Sequence, residues 1–162
     1  MCVRCATRFA RLANMLGVVN GADETPAVVS KHDLAMVRRG YELWNDGDIR
    51  GLADTCFTED VEWHAAPEWP GERLFRGREE VERFLREDVA ELIALQDTRI
   101  ERIEQVGPEL VITLHARAHG LASGIDVASG EIFHVARLRD GRVDRVRTFL
   151  NEEDAIDAAN AG

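Results

Sequence analysis

The sequence predicts a single α+β domain. Three observations predict it. Amphipathic helical stripes crowd the first half of the chain, alternating strand-like runs crowd the second, and hairpin turn signals separate those runs. The predicted order is α-α-β-α-β-β-β-β-α. Helices that precede a meander of antiparallel strands make an α+β pattern, not a doubly wound one.

Ser30 precedes the first helix, and Asp33 three residues later gives a capping-box-like start. Leu34, Val37, Tyr41 and Trp44 follow at helical spacing, so one stripe is apolar and partly aromatic. Asn45-Asp46-Gly47-Asp48 stops the helix, with Gly47 as the left-handed cap. A second helix spans about 49–57 and turns Leu52, Ala53, Cys56 and Phe57 inward. Val61 to Ala65 alternates as a strand. Pro67 and Pro70 end it, and their loop carries Trp69 outward or over the interior. Gly77 opens a third helix over about 77–93. At about 100° per residue, Val81, Phe84, Leu85, Val89 and Leu92 share one face, and Asp88 falls near its centre. Strand-like runs follow at about 98–106, 109–119, 130–139 and 142–150. Gly107-Pro108 and Asp140-Gly141 are hairpin turns, and Gly120 to Gly130 is a longer connection. Asn151 caps a last helix that runs through Ala159.

Composition narrows the function. The chain has 162 residues, of which 45% are apolar, enough for one domain with its own core. Residues 1–22 carry Arg4, Arg8 and Arg11 and no acid, while the whole chain has a net charge of −10. An acidic body repels phosphate backbones, so no nucleic-acid partner is expected. No stretch approaches the roughly 18 uninterrupted apolar residues of a membrane span, so a cytoplasmic location follows. Cys2 and Cys5 form a C-x-x-C without a second pair, which leaves a zinc site incomplete, and Cys56 reads as a core thiol. Residues 1–28 read as a flexible N-terminal extension and 29–162 as the domain.

Four motifs carry a resemblance. They are Gly40-Tyr41-x-x-Trp44-Asn45-x-Gly47-Asp48, Phe57-x-x-Asp60-Val61-x-Trp63-His64, Phe75-Arg76-Gly77-Arg78-Glu79, and the run from Phe133-His134-Val135 through Leu138-Arg139-Asp140-Gly141-Arg142-Val143. In order and spacing, over about residues 33–160, the chain resembles the SnoaL-like, nuclear-transport-factor-2-like superfamily. The resemblance implies a cone: a curved antiparallel sheet wrapped on about three helices and enclosing a pocket. It implies that Ile132, His134 and Ala136 face inward on one strand and Val146, Thr148 and Leu150 on the next. Trp44 reaches in from the first helix, and Trp63 and Ala65 from the first strand. It also implies a homodimer through the outer sheet face. The superfamily holds polyketide cyclases, ketosteroid isomerases, dehydratases, epoxide hydrolases and many non-enzymes, so the fold alone names no reaction. The isomerase catalytic set does not carry over. Its first-helix tyrosine falls on Gly40, with Tyr41 one position off, its base on Ala65, and its protonated aspartate on His134.

Three side chains are candidates for chemistry. His134 can give or take a proton near neutral pH beside a ligand. Asp88, on an apolar helix face, would have a raised pKa if buried and could pair with His134 across the pocket. Tyr41 could donate to a carbonyl or a developing enolate, as could Thr148. Strand alternation turns His64 away from the pocket. His115, Arg117 and His119 share the outer sheet face and bring no carboxylate of their own strand, so no metal is expected there. Trp44, Trp63, Trp69, Phe84 and Phe133 read as core or pocket wall, and three tryptophans suit a flat apolar ligand. Two readings follow. One is an enzyme without cofactor, of the cyclase, isomerase or dehydratase kind, acting on a small apolar carbonyl compound. The other is a non-catalytic apolar binding or dimeric interaction module.

Overall fold

A computed structural model describes residues 29–90, 93–120 and 126–162, with the side chains of 91–97 and 117–129 outside that description. The expected extension over 1–28 with its Cys2–Cys5 pair, Leu92, and the side chains of Arg117 and His119 lie outside the described residues. Among the described residues there are four helical segments and six strands. α1 is Lys31–Asn45, α2 is Ile49–Cys56, and β1 is Phe57–His64. β2 is Leu74–Arg76, and α3 (Arg78–Arg83) runs directly into a π-helical turn at Phe84–Val89. β3 (Ile93–Val106), β4 (Glu109–Gly120), β5 (Asp126–Arg139), β6 (Arg142–Phe149) and α4 (Glu152–Ala161) follow.

Local chemistry sets the helix starts. The Ser30 hydroxyl accepts from the Asp33 amide at 3.1 Å, while the Asp33 carboxylate accepts from the Ser30 amide at 2.9 Å. This reciprocal box satisfies two amides that a helix start leaves without partners. The Asn151 side chain caps α4 by accepting from the Asp154 amide at 2.8 Å. At Gly40, α1 and α2 approach closely: a Cβ there would sit 3.3 Å from a Leu52 methyl and 3.6 Å from the Cys56 sulfur.

The six strands form one curved sheet in the order β2-β1-β6-β5-β4-β3. The meander β3 to β6 is antiparallel, as expected. Asp140 and Gly141 both take positive φ, 54° and 76°, which closes the β5–β6 hairpin with the twist its strands require. The sheet is nonetheless mixed, because β1 runs parallel to β6. That pairing joins segments some eighty residues apart, and β2, a three-residue strand after the prolines, extends the far edge.

Alternation divides each strand between two cores. On the concave side, Leu110, Ile112 and Leu114 of β4, Ala136 of β5 and Val146 of β6 pack with α1, α2 and α3. On the convex side, Val111, Phe133 and Val135 pack against Ala155 and Ala159 of α4. Phe133 therefore belongs to the outer core, not to the pocket wall. The convex face also carries a charged row of register partners on five strands: Glu109, Arg137, Arg145, Glu62 and Arg76. Glu109 is 0% exposed and pairs with Arg145 and Arg147. Removing one member of a buried ion cluster leaves the others without compensation. We expect Glu109→Ala to cost about 2 kcal/mol of folding stability in urea titrations. A loss under about 0.5 kcal/mol would mean that water hydrates both guanidiniums adequately without it.

Candidate functional site

Between the helices and the concave face lies a cavity of about 440 Å³. Its wall is built by period. Ile132, His134 and Ala136 come from β5, Val146 and Thr148 from β6, and Leu150 from just beyond it. Ile112, Leu114 and Ala116 come from β4, Trp63 from β1, and Ala65 from the residue after it. Tyr41 and Trp44 come from α1, and Phe84 from the π turn. Leu150, 50% exposed, marks the rim of the cavity, and Trp69 lies over it. The Trp69 ring meets Phe84 edge-on, 5.4 Å between centroids, and Phe84 in turn stacks on Phe75 at 3.9 Å.

Polar atoms are few in this wall. Tyr41 Oη and His134 Nδ1 lie 2.8 Å apart, joining residues 93 positions apart in sequence. His134 is register partner to Ile112 on one side and Thr148 on the other, and its ring meets the Trp63 edge at 5.3 Å. The surface that Tyr41 and His134 leave open faces the cavity. Burial among apolar groups pushes the His134 pKa down to about 4 and raises that of Tyr41, because the charged form of each loses its hydration. Both are neutral at pH 7. The bond between them satisfies each group that burial would otherwise strand.

Two backbone bonds set the depth of Tyr41. The Asn45 side chain, one turn further along α1, donates to the Thr98 carbonyl at 2.9 Å and accepts from the Thr98 amide at 3.1 Å. Those Thr98 groups are free to do so because the β3–β4 register shifts between Gln96 and Arg99. Asn45, which the sequence marks only as a helix stop, is therefore a clamp. Thr98 itself is 5% exposed, lines the cavity, and is a wall residue that sequence reasoning missed. Its spacing of two from Ile100 was the available signal. The Thr98 and Thr148 hydroxyls are covered and have no partner among the described residues.

Asp88 requires correction. It is exposed and lines a separate shallow depression with Glu72, Arg83 and the outer side of Trp69. The predicted inward position assumed a uniform α-helical step, whereas the helix widens at Phe84 into a π turn with more residues per revolution. The change of phase leaves Phe84 and Leu85 inside and turns Asp88 out. Asp88 and His134 thus form no pair. His64 stays off the cavity, as alternation requires, beside Glu62 at 3.6 Å. His115 lies near Glu101 of β3, at 3.9 Å. Among the described residues no group of three or more His, Cys, Asp or Glu could hold a metal ion, and no helix is long and apolar enough to cross a membrane.

The sequence pattern of the SnoaL-like domain family matches residues 37–146, which span the cavity from α1 to β6. The chain belongs to the SnoaL-like domain family. Among solved structures, this SnoaL-like protein is similar to a candidate isomerase from Bacillus subtilis, at 16% identity over 81% of this chain and 94% of that one, with a TM-score of 0.64. A nuclear-transport-factor-2-like protein of unknown function from Burkholderia pseudomallei is similar at 22% identity over 79% and 97%, TM-score 0.63. TerC, co-crystallised with polyporic acid, is similar at 20% identity over 81% and 99%, TM-score 0.62. At such identities the likeness is one of fold. No curated protein matches the chain.

The depressed His134 value has a measurable consequence. In the unfolded chain the imidazole holds its ordinary value of 6.5, and in the fold about 4. Between those values only the unfolded chain binds the proton, so stability present at neutral pH is lost as pH falls from about 6.5 to about 4. Relative to a His134→Gln variant, we expect the wild type to lose up to about 3 kcal/mol more between pH 7 and pH 4 in urea titrations. Parallel pH dependences in the two proteins would place the His134 titration at its ordinary value.

Proposed function

We propose that this SnoaL-like protein is an enzyme of the cyclase, isomerase or dehydratase kind that moves protons on a small apolar carbonyl compound, without a cofactor. The observation that carries this reading is the Tyr41–His134 pair, bonded at 2.8 Å in an otherwise apolar cavity of about 440 Å³. A cavity of that volume accommodates a compact organic molecule, and the two polar atoms would fix its orientation. A neutral imidazole there accepts or delivers a proton, while the phenol donates to the carbonyl oxygen where charge develops. Apolar walls exclude water, which strengthens both contacts. The similarity of fold to a candidate isomerase, and to TerC with its polyporic acid, supports a small-molecule role. The open volume, with Trp44 and Trp63 in its wall, speaks against a core that merely fills itself.

A second reading has one observation in its favour. Tyr41 and His134 already satisfy each other, as they would in a carrier that only holds an apolar ligand. Exchange of the α-hydrogens of 2-tetralone in deuterated buffer, followed by NMR, separates the two. We expect exchange above background, lowered at least about 100-fold by His134→Gln and less than about twofold by Asp88→Asn. Binding of 2-tetralone, seen as quenching of tryptophan fluorescence, without exchange above the His134→Gln level would favour the carrier.

A further inference from the structure

Among the described residues, the cavity wall holds four titratable side chains: Tyr41, Cys56, Glu68 and His134. None is a lysine or arginine, so an anionic group on a ligand would enter without a counter-charge. Glu68 lies exposed at the rim, where its carboxylate repels anions. Cys56 donates to the Met36 carbonyl, and burial pushes its thiol up, which leaves it a packing group. The neighbours of His134 on the adjoining strands, Ile112 and Thr148, and the Trp63 ring that it meets are uncharged. The chemistry of the interior therefore rests on Tyr41 and His134.

A neutral imidazole has one N–H and one lone-pair nitrogen, and a phenol has one O–H. One hydrogen lies between Nδ1 and Oη, and it can belong to either. When the Tyr41 hydroxyl donates to Nδ1, His134 presents Nε2–H. When Nδ1–H donates to the Tyr41 oxygen, His134 presents an Nε2 lone pair and Tyr41 presents its own hydrogen. His134 Nε2 has no partner among the described residues, and the ring lines the cavity. Either arrangement thus offers a ligand one donor and one acceptor. Concerted transfer converts one arrangement to the other with no net charge.

Resting on the function proposed above, we infer that Tyr41 and His134 work as one neutral, two-ended proton carrier whose substrates are uncharged carbonyl compounds with an enolisable C–H. Nε2 takes the proton from the carbon next to the carbonyl. The C–H electron pair becomes the C=C bond of an enol, and the carbonyl π pair takes the Tyr41 hydroxyl proton. The Tyr41 oxygen takes the proton from Nδ1. With a β,γ-unsaturated ketone the return step runs in reverse order at another carbon. Nε2–H protonates the γ-carbon, the enol proton goes back to the Tyr41 oxygen, and the phenol hydrogen goes back to Nδ1. The carrier is restored and a hydrogen has moved between two carbons, with nothing consumed. Burial supports this route over a stepwise one, because both the imidazolium and the phenolate are disfavoured there. An imidazole with a value of about 4 is a weak base alone, and the simultaneous gift of a proton to oxygen compensates.

The test is the conversion of cyclohex-3-en-1-one to its conjugated isomer, followed by the absorbance of the product. We expect Tyr41→Phe and His134→Gln each to lower kcat/KM at least about 100-fold, and the double variant to fall within about threefold of the worse single one. The wild-type profile should be flat from about pH 5.5 to 9, since neither end ionises in that window. More than about a tenth of the activity left in a folded Tyr41→Phe variant would overturn the carrier, as would an ionisation within that window. His134 would then stand as a lone base and the proposed function would survive. Equal turnover of a carboxylate-bearing analogue would overturn the neutral substrate class. No wild-type turnover of this ketone, together with no exchange of 2-tetralone, would remove the carrier and the proposed function alike.

Discussion

A cavity at the centre of the fold is the constraint that organises this molecule. Side chains around a cavity lack packing partners on one side and forgo the dispersion that a filled core supplies. The wall therefore has to be held from behind. On the convex face, α4 closes a second core over Val111, Phe133 and Val135, and the Glu109 ion cluster ties β4 to β6. On the concave side, Phe75 braces Phe84 by stacking, and Asn45 fastens the end of α1 to β3. Asn45, Phe75 and Glu109 all stand outside the cavity wall. Each keeps the walls apart against the tendency of apolar groups to collapse.

The same constraint explains the state of the polar pair. A phenol and an imidazole in an apolar chamber are tolerable only as neutral, mutually bonded groups. The bond that stabilises the fold is thus the bond on which the proposed chemistry rests. A charged acid or base at this place would need a counter-ion, and the described residues of the cavity wall supply no cation. The site holds what an apolar interior can hold, which limits it to reactions that neutral groups can assist.

Much of this was legible in the sequence, wherever a local rule was enough. The Ser30–Asp33 box, the Asp140-Gly141 turn and the alternation of β5 and β6 depend on near neighbours, and each stands where expected. So do the individual positions of Tyr41 and His134. Their partnership was not legible, because it depends on how α1 lies across β5. The parallel pairing of β1 with β6 is likewise a matter of distant segments, and β2 is too short to show a period. Asp88 was misplaced for a different reason. A helical wheel assumes one step per residue throughout, and a π turn leaves no mark in the order of polar and apolar residues.

The place of β6 bears on how the chamber comes into being. This strand lies inside the sheet, between β1 and β5, yet it is the last of the six along the chain. During synthesis, β1 and β2 with α1, α2 and α3 emerge early and wait for the segment that joins them to the meander. Until residues 142–149 arrive, β1 and β5 lack the strand that lies between them. Closure is therefore a single late event across long sequence separations, which is slow by its topology. The cavity and the folded domain are completed in the same step.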